Sequence, residues 1–444
     1  MVLSHLILLL MEGNNNIGID LNKKMTNWDY FLTLRKYINP RGYRIDFKKV
    51  INKELINIAY KKCEHENLKI RSLFKFIFSL DLDPITKGIE NNKLLATNFI
   101  SRKDHQHLMD SCLSTLKYDD YTKVTSLNYK IRINPRIIVQ SIIDCKELIK
   151  SDLSKKKIIY IISSLIHYRN IEDDFYKSIR NIKIVENKKY LALNSSIGIE
   201  TIFCQGFNNY STITSYTLTH GQTYVKYSKF NPLDNINGFN ITASKVIAWG
   251  VGQKEELYSN FNFPRESILV AGNPKYTVRK IIIKKDFTDC LVILPRIVYD
   301  ETNIELLEIL YRFKNNNNCD MTLKLHPSLD YSYYKIIAEG YGMSICSPDS
   351  DLITELQSGE YDFGIVYNST SYYEALYCGL LCFRYGNENE VYIGLNDKFS
   401  TGLELTRLID KYRKINENEL SDKVEILLKS IMGIGVNNYR KILG

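Results

Sequence analysis

From about residue 245 onward, short runs rich in Val, Ile, Leu, Phe and Cys recur, and each stops at a polar or turn-forming cluster. They are Lys245–Trp249, Ser267–Ala271, Cys290–Pro295, Met321–Leu325, Phe363–Tyr367 and Leu381–Arg384. Runs that are apolar at consecutive positions suit strands covered on both faces, and their alternation with helical stretches predicts a parallel, doubly wound sheet. The first half is less regular. Strands are predicted there at Lys93–Phe99, Thr122–Ser126, Tyr190–Asn194 and Thr212–Leu218, with helices near 104–117 and through 134–180. Residues 1–90 read as mostly helical. The apolar run Val2–Leu10 is too short to span a bilayer and lacks a basic leader, so it reads as a first strand or a tail.

The predicted fold class is therefore α/β, with two Rossmann-like domains and a mostly helical N-terminal extension. A chain of 444 residues suits two domains. Residues 1–90 are assigned to the helical, basic first part of domain one and 91–230 to its Rossmann-like body. The turn-rich segment around Asn231–Gly238 makes 231–240 the expected linker. Residues 241–410 are assigned to the second Rossmann-like domain, and 411–444 to C-terminal helices.

The polar clusters at strand ends carry the chemistry. In Leu323-Lys324-Leu325-His326-Pro327, a strand ends at a histidine whose backbone is fixed by the following proline. In Phe363-Gly364-Ile365-Val366-Tyr367-Asn368-Ser369-Thr370-Ser371, a strand gives way to hydroxyls at a helix start. Singly, an aimed histidine and an N-capping serine are ordinary structural features. Together, on consecutive strand–helix units, they describe a phosphate cradle at the carboxyl-end rim where open α/β sheets bind ligands. Arg296, just past another strand end, reads either as a further partner for a donor phosphate or carboxylate or as a surface ion pair. Upstream, the alternating run Thr212–Thr219 breaks at His220-Gly221, placing a histidine of near-neutral pKa at a sheet edge, suited to act as a base. Glu200, after Ser195-Ser196-Ile197-Gly198-Ile199, opens a helix and is the second candidate catalytic group.

The His-Pro and Ser-Thr-Ser stretches resemble the His-Pro and Ser-Ser/Thr motifs of bacterial sialyltransferases and polysialyltransferases. Residues 190–410 are similar to GT-B glycosyltransferases of capsule or lipopolysaccharide synthesis, including the CDP-glycerol glycerophosphotransferase group; the resemblance implies that the two Rossmann-like domains face across a cleft and that the C-terminal helices brace the first. The resemblance implies that His326, Pro327, Ser369, Thr370 and Ser371 hold the donor phosphate, that Glu374 meets the ribose, and that Lys324 and Arg296 line the same site. Ala271-Gly272-Asn273-Pro274 is similar to the Gly-x-Pro turn of that fold, which adds Gly272 to the donor side. His220-Gly221 is similar to the His-Gly motif in which the histidine faces the acceptor. The chain departs from the sialyltransferase pattern in having no pair of acids before a glycine; Glu172-Asp173-Asp174 and Asp300-Glu301 are acidic runs without one. The implied function is an inverting, metal-independent glycosyltransferase using a nucleotide-activated sugar, with a CMP-linked nonulosonic acid favoured. The alternatives are a CDP-alcohol polyol-phosphate transferase and a non-catalytic nucleotide-sugar-binding protein of the same fold. The acceptor is an oligosaccharide or a lipid-linked glycan.

Charge and cysteine usage refine this picture. Between Arg35 and Lys75 there are 12 Lys/Arg against 4 Asp/Glu, a difference of +8 within a chain of +9. Such a stretch fits an anionic membrane surface or a solvated helix face. No helix-turn-helix, zinc signature or stacking pattern points to nucleic acid. Nine cysteines without a Cys-x-x-Cys pair suggest buried thiols in a reducing cytoplasm, with peripheral attachment to the inner face of a bacterial membrane as the expected location. His105-Gln106-His107 lacks complementary ligands, so no metal and no cofactor are expected.

Overall fold

The computed structural model describes residues 27–40, 43–60, 73–100, 102–180, 182, 184, 187–219, 221, 236, 238–274, 276, 280–386, 393–433 and 437–444. The Val2–Leu10 run and most of the expected linker lie outside them. Eight strands belong to the first half: β1 (Phe78–Leu80), β2 (Leu94–Thr97), β3 (Tyr121–Val124), β4 (Tyr129–Ile131), β5 (Lys188–Ala192), β6 (Ile213–Leu218), β7 (Lys245–Ala248) and β8 (Ile268–Val270). Six of them form a parallel sheet in the order β3-β2-β5-β6-β7-β8, while β1 and β4 pair as a separate antiparallel ribbon.

Alternation along the buried strands serves two cores. Leu94, Ala96, Leu191 and Leu193 face one layer, containing the helix Lys103–Leu113 and, from the far end of the sequence, Tyr439 and Leu443. Leu95, Tyr190 and Ala192 face the other, filled by the N-terminal helices Asn27–Tyr37, Phe47–Val50 and Asn52–Tyr60 and by the long helix Lys155–Ile179. The N-terminal helices thus share a core with the first sheet. Within the basic stretch, Arg44 lies over the Tyr176 ring and Lys75 pairs with Glu54, so part of its charge is engaged inside the domain.

The second sheet comprises β9 (Asp289–Leu294), β10 (Asp320–Leu325), β11 (Ser344–Ile345), β12 (Phe363–Val366), β13 (Leu381–Tyr385) and β14 (Lys398–Phe399), all parallel, in the order β11-β10-β9-β12-β13-β14. The expected two-domain, doubly wound α/β architecture with a helical N-terminal part is present. The expected boundary at 231–240 is not: β7 pairs with β6 and β8 with β7, so residues 245–270 complete the first sheet. The chain crosses to the second sheet between Val270 and Asp289. The expected break at 410 falls inside the helix Gly402–Lys414, which packs with the helix Glu417–Ile431 on the second core.

The crossing back is a tight joint. Asn273 donates its N–H to the carbonyls of Met432 and Gly433 at 2.7 and 3.0 Å. Gly433 has φ +56°, and a Cβ there would lie 2.0 Å from the Trp249 carbonyl oxygen. Past it, the helix Asn437–Leu443 docks on the first domain, where the Tyr439 hydroxyl donates to the Gly272 carbonyl at 2.6 Å. Among the described residues no helix is long and apolar enough to cross a membrane.

Candidate functional site

In the second sheet the chain runs from β9 outward through β10 and β11, then returns to β12 on the other side of β9. The point between β9 and β12 is a topological switch, the kind of place at which open α/β sheets bind ligands outside the carboxyl ends of their strands. Register places Leu325 of β10 beside Leu294 of β9, and Val366 of β12 beside Ile293. Arg296, His326 and Ser369 therefore leave three neighbouring strands at nearly one level. With strands about 4.8 Å apart, the outer two ends are about 10 Å apart at the backbone.

His326 is half-buried and held on both sides. Leu329 N–H closes a turn onto the His326 carbonyl at 2.9 Å, with Pro327 at the position where its fixed φ suits a turn. Ser328 donates its N–H to Nδ1 of His326 at 3.1 Å, and its Oγ lies 2.9 Å from the same nitrogen. Nδ1 thus acts as an acceptor, which puts the proton of the neutral ring on Nε2. Ser328 Oγ also accepts from Ile297 N at 3.1 Å, tying the turn after β10 to the loop that carries Arg296.

Opposite, Asn368 takes the left-handed conformation at φ +41°, which Asn tolerates better than most residues, and turns the chain into the helix Ser371–Tyr377. Ser369 Oγ accepts from Ser371 N at 3.3 Å and donates to Ser371 Oγ at 2.9 Å. The helix has seven residues, so anion affinity here would rest on hydroxyls and local N–H groups rather than on a long dipole. Glu374, one turn on, accepts from the Tyr276 hydroxyl at 3.0 Å.

Two expected donor residues have other contacts. Lys324 is buried within β10, and its Nζ donates to the carbonyl and Oγ of Ser350 at 2.5 and 3.0 Å, pinning the loop after β11. Gly272, at φ +94°, belongs to the interdomain joint, its N–H bonded to the Trp249 carbonyl. Ser328, Tyr276 and Ser350 are the supporting residues that sequence reasoning missed; only the Asn-Ser sequence after β12 carried a local signal, for the left-handed turn at Asn368.

The first sheet has its own switch point, between β2 and β5, and Glu200 lies there. Its Oε1 accepts from Thr97 Oγ1 at 2.7 Å and Leu193 N at 3.2 Å, and its Oε2 from Asn194 N at 3.2 Å. The residue is only 4% exposed, and burial, opposed by these hydrogen bonds, pushes the carboxyl up to about 7. Its oxygens are directed at the loop after β5, which further bonds from Thr242 to Ser195 and from Asn240 to Ser196 hold in place. His220 lies outside the described residues. Its neighbours are anchored at the same rim: Thr219 donates to the Ile247 carbonyl, and Gln253 bonds both Thr219 and the Gly221 carbonyl.

The acidic runs are structural. Asp173 and Asp174 pair with Arg132, and Asp300 opens a helix while accepting from Tyr334. The chain also contains two Asp-x-Asp patterns that sequence reasoning passed over. In both, an acid accepts from the backbone at a helix start: Asp81 from Asp83 N, and the N-cap Asp351 from Thr354 N. Among the described residues no group of three or more His, Cys, Asp or Glu could hold a metal ion.

No protein-family model matches the chain, and no curated protein sequence matches it. Solved structures similar to it include TarM, at 14% identity and TM-score 0.39 over 60% of this chain and 56% of that one. The chain thus spans little more than half the length of TarM. They also include the lipopolysaccharide outer core galactosyltransferase WaaB in its apo form, at 11% identity and TM-score 0.46 over 79% and 97%. The UDP-GlcNAc 2-epimerase of Neisseria meningitidis bound to UDP-GlcNAc is similar at 14% identity and TM-score 0.44 over 79% and 98%. Similarity at this level leaves the activity to be argued from the site itself.

Proposed function

We propose that the protein is an inverting, metal-independent glycosyltransferase that uses a nucleotide-activated sugar to build a bacterial surface polysaccharide, capsule or lipopolysaccharide. The observation that supports this reading is that Arg296, His326 and Ser369–Ser371 follow the carboxyl ends of three adjacent strands beside the switch point of the second sheet. The preference for a CMP-linked nonulosonic acid rests on the likeness of the two motifs to those of sialyltransferases. In the transfer, the acceptor oxygen bonds to the anomeric carbon as the bond to the donor phosphate breaks, and the electron pair passes to the phosphate oxygen. Nε2–H of His326, the Arg296 guanidinium and the Ser-Thr-Ser hydroxyls would stabilise that charge, fixed in place before the reaction. The acceptor's proton would pass to His220, the base that the likeness of His220-Gly221 to the His-Gly motif implies. Glu200, enclosed by its donors, is assigned to positioning the acceptor-side loop, and Tyr276 to orienting Glu374 towards the ribose.

The test is donor binding by calorimetry on His326→Ala and Ser369→Ala, with a donor first chosen from CMP, CDP, UDP and GDP compounds by nucleotide release. Each variant loses a hydrogen bond to a charged group, so affinity should fall by about 1.5–3 kcal/mol. Unchanged affinity in both removes the cradle. A phosphodiester in the product would instead identify a polyol-phosphate transferase.

A further inference from the structure

The ribbon and the helix beside it expose several large apolar side chains. In β4 and the residues after it, Arg132 is turned inward to Asp173 and Asp174, and the exposed Lys130 reaches Asp174, while Tyr129, Ile131 and Ile133 stand 68%, 76% and 62% exposed. On the adjoining helix Pro135–Asp144, the acid Asp144 is turned inward to Arg169, while Val139 and Ile143 are 53% and 56% exposed. Arg136, Val139 and Ile143 follow one another at spacings of three and four and share one face of that helix, and Lys146 and Lys150, on and just after the short helix Lys146–Ile149 that follows it, are exposed as well. Both elements put their inner sides on the same short stretch of the long helix, Arg169–Asp174, and so lie close to one another on it. Glu147 is the only acid exposed on the segment from Asn134 to Lys150.

We propose that this face docks on an anionic lipid surface, the apolar side chains entering the headgroup boundary and the three bases meeting lipid phosphates. An apolar ridge edged by bases is the pattern of an interfacial membrane contact. A second copy fits less well, because a two-fold contact would set Arg136, Lys146 and Lys150 against their own equivalents. The surface is distinct from the Arg35–Lys75 stretch, and the proposal stands apart from the glycosyl-transfer reading.

The full chain should float with vesicles of phosphatidylcholine and phosphatidylglycerol but not with phosphatidylcholine alone. Replacing the bases together, Arg136→Gln, Lys146→Gln and Lys150→Gln, should weaken partitioning about 100-fold, at roughly fivefold per basic group near such a surface. Ile143→Trp should strengthen it, since Trp favours the interface. Ile131→Ser with Val139→Ser should weaken it about tenfold or more. Because every site is exposed, circular dichroism should show all variants folded; if the serine pair fails to fold, the charge triple and Ile143→Trp decide. The proposal is overturned if the wild type stays unbound, if the charge triple floats like the wild type, or if Ile143→Trp floats no better. It is also overturned if light scattering shows a dimer that the serine pair dissociates.

Discussion

Replacing Glu200 by glutamine removes a buried charge while nearly preserving side-chain volume, and the expected result is a change in how stability depends on pH. Burial raises the Glu200 carboxyl from an ordinary 4.5 to about 7. Between those values the folded state keeps a proton that the unfolded state has released. Stability from this group is therefore fully present below about 4.5, declines as pH rises to about 7, and is flat beyond. At 1.36 kcal/mol per pH unit, the decline amounts to about 3 kcal/mol. In Glu200→Gln, the amide oxygen retains the bonds from Thr97 and Leu193, but its NH₂ then faces the Asn194 N–H. That contact costs about 1–3 kcal/mol at every pH. The two proteins should thus differ most in acid, and their difference should shrink by about 3 kcal/mol between pH 4.5 and 7.5. Paired urea denaturation across that range measures it. Other buried groups, such as Glu172, raised to about 7 by burial, and His167, lowered to about 4 by burial, titrate in both proteins and cancel. A difference that does not change with pH would refute the reasoning.

His220→Ala should reduce turnover by about 10²–10⁴-fold while donor affinity holds, as read from kcat and calorimetry; near-normal turnover would move the search for the base to other groups. Activity should persist in excess EDTA, and recovery only on adding Mg²⁺ or Mn²⁺ would overturn the metal-independent mechanism. Asp397, fully buried, accepts from Arg384 Nε at 2.8 Å and from the Tyr372 hydroxyl, so Asp397→Ala takes the carboxylate of a buried ion pair away from its guanidinium. The expected loss is about 3–5 kcal/mol, measured by chemical denaturation.

The central strands of the second sheet were legible almost to the residue because they are covered on both faces. Cys290–Pro295 and Met321–Leu325 in the sequence correspond to β9 at Asp289–Leu294 and β10 at Asp320–Leu325. Strands with little core to fill left no such run. The exposed β4 and the two-residue β11 and β14 passed unseen. Sheet membership was hidden for another reason: β7 and β8 look like any buried strand, and only their pairing with β6 assigns them to the first domain. At the site, the strand ends announced His326 and Ser369–Ser371, because a polar cluster closing an apolar run is a local pattern. Tyr276 lies 98 residues from Glu374 and Ser350 lies 26 from Lys324, separations over which sequence spacing carries no geometric information.

Because the helix Asn437–Leu443 belongs to the first core, the second domain is an insertion within the first, and this sets an order on the growing polypeptide. The second sheet and its helices through Ile431 are synthesised before Tyr439 and Leu443, which help cover the face bearing Leu94, Ala96 and Leu191. The domain begun first is thus the last to be sealed. Until it is, that face offers an apolar surface to chaperones and to neighbouring nascent chains, so the risk of misassembly lies in the first-made half of the molecule.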